Sequence, residues 1–388
     1  MGAPAVSFEL ALPTRVIFGE GRLVEAGALA AGMGTRALVV EGSSGRAEPL
    51  VELLRASGVA VTRVTVSGEP TTALVQSGAE YARSERCDVV LALGGGSVID
   101  AAKAIAALIT NRDPVLDYLE VVGKGRPITE RPTPLIAIPT TAGTGAEVTR
   151  NAVLMVEEKR VKVSLRSPLM LPAVALIDPV LTYTVPPAIT ASTGLDALTQ
   201  CIEPFVTPKA NPFTDAVARE GMRSAAGALR RVFRDGSDVE ARRDMAIASL
   251  CGGLALANAK LGAVHGFAAP LGGMFPIPHG VACASLLPSV VEMNLRALRA
   301  RAPDSPVLAR YAEVARILTG RADARAEDGA DWLLMLVGDL EIPKLAAYGV
   351  KEGDIGRVVE KARKASSMKG NPIELTDGEL EWVLRSAV

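Results

Sequence analysis

The chain has 388 residues, 49% of them hydrophobic and 22% charged, with a formal net charge of -1. That length suits two domains with a substantial core and excludes a disordered chain. The near-neutral balance offers no basic field for nucleic acid or an anionic membrane, so a small-molecule partner is expected.

Aromatic residues make up only 4% of the chain. An interior of Ala, Val, Leu and Gly suits helices packed closely on a parallel sheet better than a β-sandwich. The opening SFELALPTRVIFGEG, residues 7–21, alternates apolar and polar residues on either side of Pro13 and predicts an edge hairpin. MGAPAVSFELALPTRV lacks a basic region followed by an apolar core, and no apolar run reads as long enough to cross a bilayer. Cys87, Cys201, Cys251 and Cys283 follow no disulfide or zinc-ribbon spacing and read as buried thiols of a reducing compartment. A cytoplasmic location is therefore expected.

From Ala37 the pattern changes. ALVVEG is a buried strand, PLVELLRASG a helix closed by Gly58, VAVTRVTV a second strand and TTALVQSGAEYARSER a helix. DVVLALGGGSVIDAAKAIAALIT then reads as strand, glycine turn and helix. Strand and helix alternating at this interval predict βαβ units, hence a doubly wound parallel sheet with helices on both faces.

The turn Gly94-Gly95-Gly96-Ser97 lets a backbone approach a phosphate without side-chain obstruction, and the following helix adds free amides at the positive end of its dipole. It reads as a pyrophosphate cradle, although a glycine turn of this kind also serves simple strand-on-helix packing. After strand PLIAIP comes a second polar cluster, Thr140, Thr141, Gly143, Thr144, Gly145, Glu147 and Thr149. Hydroxyls at the carboxyl end of a strand suit ribose or phosphate oxygens. The same residues also spell a capping box from Thr144 to Glu147.

KRVKVSLRSPLMLPAVALIDP predicts a further hairpin and strand, and the composition shifts at Pro186-Pro187. Beyond it helical patterns dominate, so an α/β domain over residues 1–186 and an all-helical domain over 187–388 are expected. The only two histidines, His265 and His279, both lie in LGAVHGFAAPLGGMFPIPHGVACASLLP. Imidazole is a common ligand for zinc or iron(II), and Asp196 in STGLDALTQCIEPF offers a carboxylate, with Gln200 one turn on. The alternative is two satisfied core histidines, with Asp196 capping a helix after Ser192 and Thr193.

Taken together, GGGSVIDAAKAIA, PTTAGTGAEVT, ALIDPVLT, STGLDALTQCIEPFV and VHGFAAPLGGMFPIPHGVACASLLP resemble the iron-containing (group III) alcohol dehydrogenase family, related to glycerol dehydrogenase, maleylacetate reductase and dehydroquinate synthase. The resemblance runs over nearly the whole chain. It implies a dinucleotide-binding domain and a helical metal domain of dehydroquinate synthase type, with a nicotinamide cofactor facing a substrate oxygen on the metal, and a homodimer. By position, Gly95, Gly96 and Ser97 would hold the pyrophosphate with Asp100 close by. Thr140, Thr141, Thr144 and Thr149 would line the adenine and ribose side, and Lys162 and Leu181 the nicotinamide ribose.

Asp196, His265 and His279 match three metal ligands of the family, whereas its further histidine ligand is replaced by Gln200, a weaker neutral donor. A proton-relay histidine of many relatives is replaced by Ala269. Gly42 stands where NAD-preferring relatives carry an aspartate, with Glu41 one place early and Ser43, Ser44 and Arg46 nearby, so both NAD and NADP stay open. The expected activity is reversible hydride transfer between NAD(P) and an alcohol, aldehyde or ketone, assisted by one divalent iron or zinc ion. The alternatives are a maleylacetate-reductase-like reduction, with Arg150, Arg160 and Arg166 as candidate carboxylate binders, a non-redox lyase, and a binding protein with a degenerate site.

Overall fold

The structure is a computed structural model that describes residues 7–159 and 161–388. It divides into two compact units. The α/β unit comprises Ala11–Thr141 and Gly145–Val185, and the helical unit comprises Pro186–Val388 with residues 7–10 and Ala142–Thr144.

The α/β unit contains eight described strands: β1 (Arg15–Phe18), β2 (Arg36–Gly42), β3 (Ala60–Val66), β4 (Val89–Gly94), β5 (Leu135–Pro139), β6 (Asn151–Val156), β7 (Val161–Arg166) and β8 (Val174–Ile177). Six form a parallel sheet in the order β1-β8-β5-β4-β2-β3, and β6 and β7 pair as an antiparallel hairpin. Its helices are α1 (Ala26–Ala31), α2 (Glu48–Ala56), α3 (Thr72–Ser84), α4 (Gly96–Thr110) and the single turn α5 (Val115–Tyr118).

Side chains alternate across a strand, and here each set has its own cover. Leu38, Val40, Val90 and Ala92 join the cluster built with α3 and α4, while Ala37, Val39, Val89, Leu91 and Leu93 join Leu50 and Leu54 of α2. Strands β4, β5 and β8 are buried along their whole length, which is why they read as continuous apolar runs.

Chain order reverses direction between β2 and β4. From β2 the chain moves outward to β3, and from β4 it moves the other way to β5. Such a reversal opens a crevice at the carboxyl ends of the two strands, the usual ligand position in a doubly wound sheet. Here it is flanked by Gly42 and by the turn after Gly94.

Two local expectations are corrected. Residues 7–21 form no hairpin: β1 is a single edge strand running parallel to β8, with Arg15 opposite Val174. Alternation alone does not name a partner, and Pro13 donates no ladder hydrogen bond. The turn at the second polar cluster is also placed differently: the 3-10 turn Ala146–Val148 has Gly145, not Thr144, at its N-cap, with φ 58°, a left-handed position suited to glycine.

The helical unit contains α6 (Pro187–Val206), α7 (Pro212–Arg234), α8 (Val239–Asn258), α9 (Ala263–Met274), α10 (His279–Arg301), α11 (Pro306–Thr319), α12 (Ala326–Asp339), α13 (Ile355–Lys364) and α14 (Asp377–Ala387). One continuous core links them, including Leu195, Leu198, Phe205, Phe267, Leu286 and Leu287. Contrary to the sequence expectation, α10 is long and apolar enough to match a membrane span, but its apolar window is 83% buried within the protein. All four cysteines are free and buried.

Candidate metal centre and coenzyme face

Three helices converge on one small polar cluster inside the helical unit. Asp196 lies in the middle of α6, His265 in the first turn of α9, and His279 opens α10. Asp196 is therefore not a helix cap. Its Oδ1 is 3.4 Å from His265 Nε2 and 3.8 Å from His279 Nε2. Close approach of α6 and α10 makes this possible: a Cβ on Gly280 would stand 2.7 Å from the Ser192 carbonyl oxygen, so only glycine lets the two backbones come together.

A fourth donor belongs to the cluster. Cys283 Sγ is 3.7 Å from His279 Nε2 and 3.9 Å from His265 Nε2. Donor atoms of Asp196, His265, His279 and Cys283 all fall within 4.8 Å of one another. The sequence carried a signal for Cys283: it is four residues after His279 and so on the same helical face. Glu203 was missed in the same way, two turns after Asp196 on α6. Its Oε2 lies 2.7 Å from His265 Nδ1 and its Oε1 accepts a 2.8 Å hydrogen bond from the Val264 amide. Nδ1 therefore donates to the Glu203 carboxylate, and Nε2 is left facing Asp196 and Cys283.

This arrangement fits a metal ion. Among the described residues, Asp196 Oδ1 and Gln200 Oε1 are buried without any hydrogen-bond partner, a costly state unless something else satisfies them. Burial would push the Asp196 carboxyl up, yet His279 and His265 outweigh it and hold it at about 2. Cys283, and after an opposing partial desolvation Asp196, push the half-exposed His279 up to about 9. Burial lowers His265, but Cys283, Glu203 and Asp196 carry it well above its ordinary value. Protons held on the two imidazoles beside the Asp196 carboxylate occupy the places that a divalent cation takes when it binds. Gln200 lies beside the cluster with its Nε2 donating to the Gly143 carbonyl at 3.3 Å. Ala269, one turn after His265, carries no ionisable group.

The predicted coenzyme residues are divided between the units. Gly95 sits at the N-cap of α4 and starts a helix with no side-chain cap, leaving the first-turn amides of Gly96 and Ser97 at the positive end of the helix. A Cβ on Gly95 would approach Thr141 Oγ1 to 3.3 Å. The Thr140 amide donates to the Gly94 carbonyl at 3.0 Å, joining the two polar turns. Thr144 falls in the helical unit, whereas Thr140, Thr141 and Thr149 belong to the α/β unit.

Asp100 accepts a 3.0 Å bond from the Val153 amide and lies 3.6 Å from Lys103 Nζ. Buried Lys103 donates to Thr149 Oγ1 at 2.7 Å and to the Asn151 carbonyl at 2.8 Å, so Asp100 and Thr149 are tied into one network under the β6–β7 hairpin. Lys162 pairs with Glu69 at 2.7 Å, and Leu181, in the 3-10 turn Pro179–Thr182, packs partly buried against the α1–α2 face. Glu41 is committed to Arg63 through bonds of 2.6 and 3.0 Å. Gly42 has open space, since a Cβ there would meet only Val98 at 3.9 Å. Arg150 is partly buried and Arg166 exposed in the α/β unit, and Arg160 lies outside the described residues.

Comparison with known proteins identifies the family. A family model described as iron-containing alcohol dehydrogenase matches residues 13–179, and one for the C-terminal part of the family matches residues 190–388. The chain is 37% identical to a choline dehydrogenase of Bacillus subtilis over 96% of its length and 93% of that protein. It is 40% identical to alcohol dehydrogenase 4 of Schizosaccharomyces pombe, over 83% of this chain and 74% of the other. Among solved structures, a 1,3-propanediol oxidoreductase superposes with a TM-score of 0.90 at 34% identity, covering 98% of this chain and 100% of its own. The chain therefore belongs to the iron-containing alcohol dehydrogenase family, as an NAD(P)-dependent oxidoreductase of alcohols.

Proposed function

We propose that this chain interconverts a small alcohol and its aldehyde or ketone with NADP(H), using one divalent metal held by Asp196, His265 and His279. The observation that carries the reading is the orphaned, buried Asp196 Oδ1 facing two imidazole nitrogens. A bound metal supplies Lewis acidity toward a carbonyl or alkoxide oxygen, and the nicotinamide supplies or accepts the hydride. The protein's share is positioning. Glu203 fixes the orientation of His265.

In this reading residues 1–186 bind the coenzyme and residues 187–388 the metal and substrate. Gly95, Gly96 and Ser97 receive the pyrophosphate at the N-terminus of α4, and Thr140 and Thr141 line its ribose side. Asp100, Thr149 and Lys162 brace that floor through their existing partners, while Thr144 and Leu181 contribute to the coenzyme's flanks. NADP over NAD is supported by the missing carboxylate at Gly42, by Glu41 being engaged with Arg63, and by exposed Ser43, Ser44 and Arg46 beside the same strand end. A cytoplasmic homodimer completes the proposal, consistent with four reduced cysteines.

The test is elemental analysis of the purified protein combined with NADH- and NADPH-dependent reduction of a panel of small aldehydes, before and after chelation. One metal per chain, loss of activity on chelation and its return with metal are expected, together with faster turnover of NADPH. Gly42→Asp should shift preference toward NADH. A metal-free protein whose activity ignores added zinc and iron overturns the proposal.

A further inference from the structure

We propose that Cys283, rather than Gln200, is the fourth protein ligand of the metal, so that the site is an Asp-His-His-Cys set with a preference for zinc. This rests on the metal-dependent reading above but goes beyond it, because nothing in that reading requires sulfur.

The argument is geometric. Four ligands at the usual zinc distances, near 2.0–2.1 Å for nitrogen or oxygen and 2.3 Å for sulfur, stand at tetrahedral edges of about 3.3 Å between nitrogen and oxygen and about 3.6 Å between nitrogen and sulfur. The Asp196 oxygen lies 3.4 and 3.8 Å from the two imidazole nitrogens. The Cys283 sulfur lies 3.9 and 3.7 Å from the same two nitrogens. These four edges are each within about half an ångström of the tetrahedral value, and all donor atoms lie within 4.8 Å of one another. Cys283 reaches this position because it is one turn after His279 on α10, a helix pinned against α6 at Gly280. Both ligands of that helix therefore move as one rigid body.

Gln200 is the less suited donor. Its amide nitrogen is turned to the Gly143 carbonyl, and its oxygen, though buried without a partner, is neutral and the weaker donor. A thiolate is the softest donor available here and biases a nitrogen–oxygen site toward zinc. Coordination forms one sulfur–metal bond and releases the thiol proton to solvent. A substrate oxygen would join such a set by expansion to five-coordination, as zinc sites do in some transition states.

The experiment uses the full-length protein loaded with one equivalent of zinc, with X-ray absorption at the zinc edge, and the same protein loaded with cobalt(II) for its near-ultraviolet spectrum. The expected result is one sulfur scatterer at about 2.3 Å and a sulfur-to-cobalt charge-transfer band. Both should vanish in Cys283→Ser and persist in Gln200→Ala. Zinc affinity of Cys283→Ser should fall by more than the roughly 10- to 100-fold that loss of a residue supporting a ligand typically costs. Zinc bound with nitrogen and oxygen neighbours only, or a sulfur signal that survives Cys283→Ser, overturns the assignment and leaves the metal-dependent reading standing. Failure to bind either ion overturns both.

Discussion

Replacing Glu203 by glutamine probes how the metal centre is held without touching a donor atom. Both carboxylate oxygens of Glu203 accept hydrogen bonds in a buried setting, one from His265 Nδ1 at 2.7 Å and one from the Val264 amide at 2.8 Å. A glutamine has one acceptor oxygen and one donor NH2 group. Whichever way it turns, one N–H is left facing another N–H, and a buried unsatisfied donor costs about 1–3 kcal/mol. If the amide turns its oxygen to Val264, His265 loses its acceptor, and its tautomer and orientation are no longer fixed. If it turns the other way, the imidazole keeps a neutral partner that makes it less basic. Losing a supporting carboxylate of this kind typically weakens metal binding 10- to 100-fold, or about 1.4–2.7 kcal/mol.

Zinc affinity should be measured by competition with a chromophoric chelator, alongside urea unfolding of the metal-free protein. Glu203→Gln should lose on the order of 10- to 100-fold in zinc affinity, with the metal-free form destabilised by about 1–3 kcal/mol. Glu203→Asp, which keeps the charge but shortens the reach, should fall between the two proteins. Zinc affinity in Glu203→Gln within about twofold of the wild type would refute the argument that this carboxylate supports the centre.

Other consequences are equally direct. Gly280→Ala places a Cβ 2.7 Å from the Ser192 carbonyl oxygen, so α6 and α10 must separate. A lowered melting temperature, from about 1–3 kcal/mol of overpacking, and weaker zinc binding are expected, and a variant indistinguishable from wild type in both would refute the close approach. His279→Ala should remove most metal and turnover while NADPH affinity, read by fluorescence titration, stays nearly intact. Loss of coenzyme binding with full metal retention would contradict the assignment of the two roles. Burial pushes the Glu147 carboxyl up to about 7, against the pull of its own amide and of Lys103. Between the ordinary glutamate value and that figure the folded chain keeps a proton that the unfolded chain has lost, so stability falls as pH rises through this window, by at most ~3 kcal/mol. Glu147→Gln should flatten that fall in urea midpoints measured from pH 5 to pH 7.5. An unchanged slope would show that Glu147 does not carry the effect.

What the sequence determined by itself was local and periodic. Alternation of β2, β3 and β4 with α2, α3 and α4 follows from runs such as ALVVEG and DVVLALG bounded by helical stretches, because each residue's preference and its apolar period act over a few neighbours. The glycine turn at Gly94–Ser97 was legible for the same reason, and the family motifs singled out Asp196, His265 and His279 as residues to watch.

Tertiary structure decided which residues meet. The direction of β1 depends on its partner β8, which lies more than 150 residues away in sequence, and no local pattern carries that pairing. Whether Glu41 was free for a ribose depended on Arg63 of the neighbouring strand, which claims both of its oxygens. Glu203 and Cys283 share helical faces with Asp196 and His279, but they acquire their positions around His265 only when α6, α9 and α10 pack at the distances that Gly280 permits. Helix periodicity states which side chains share a face, but close packing of one face on another selects the few atoms that come within bonding distance.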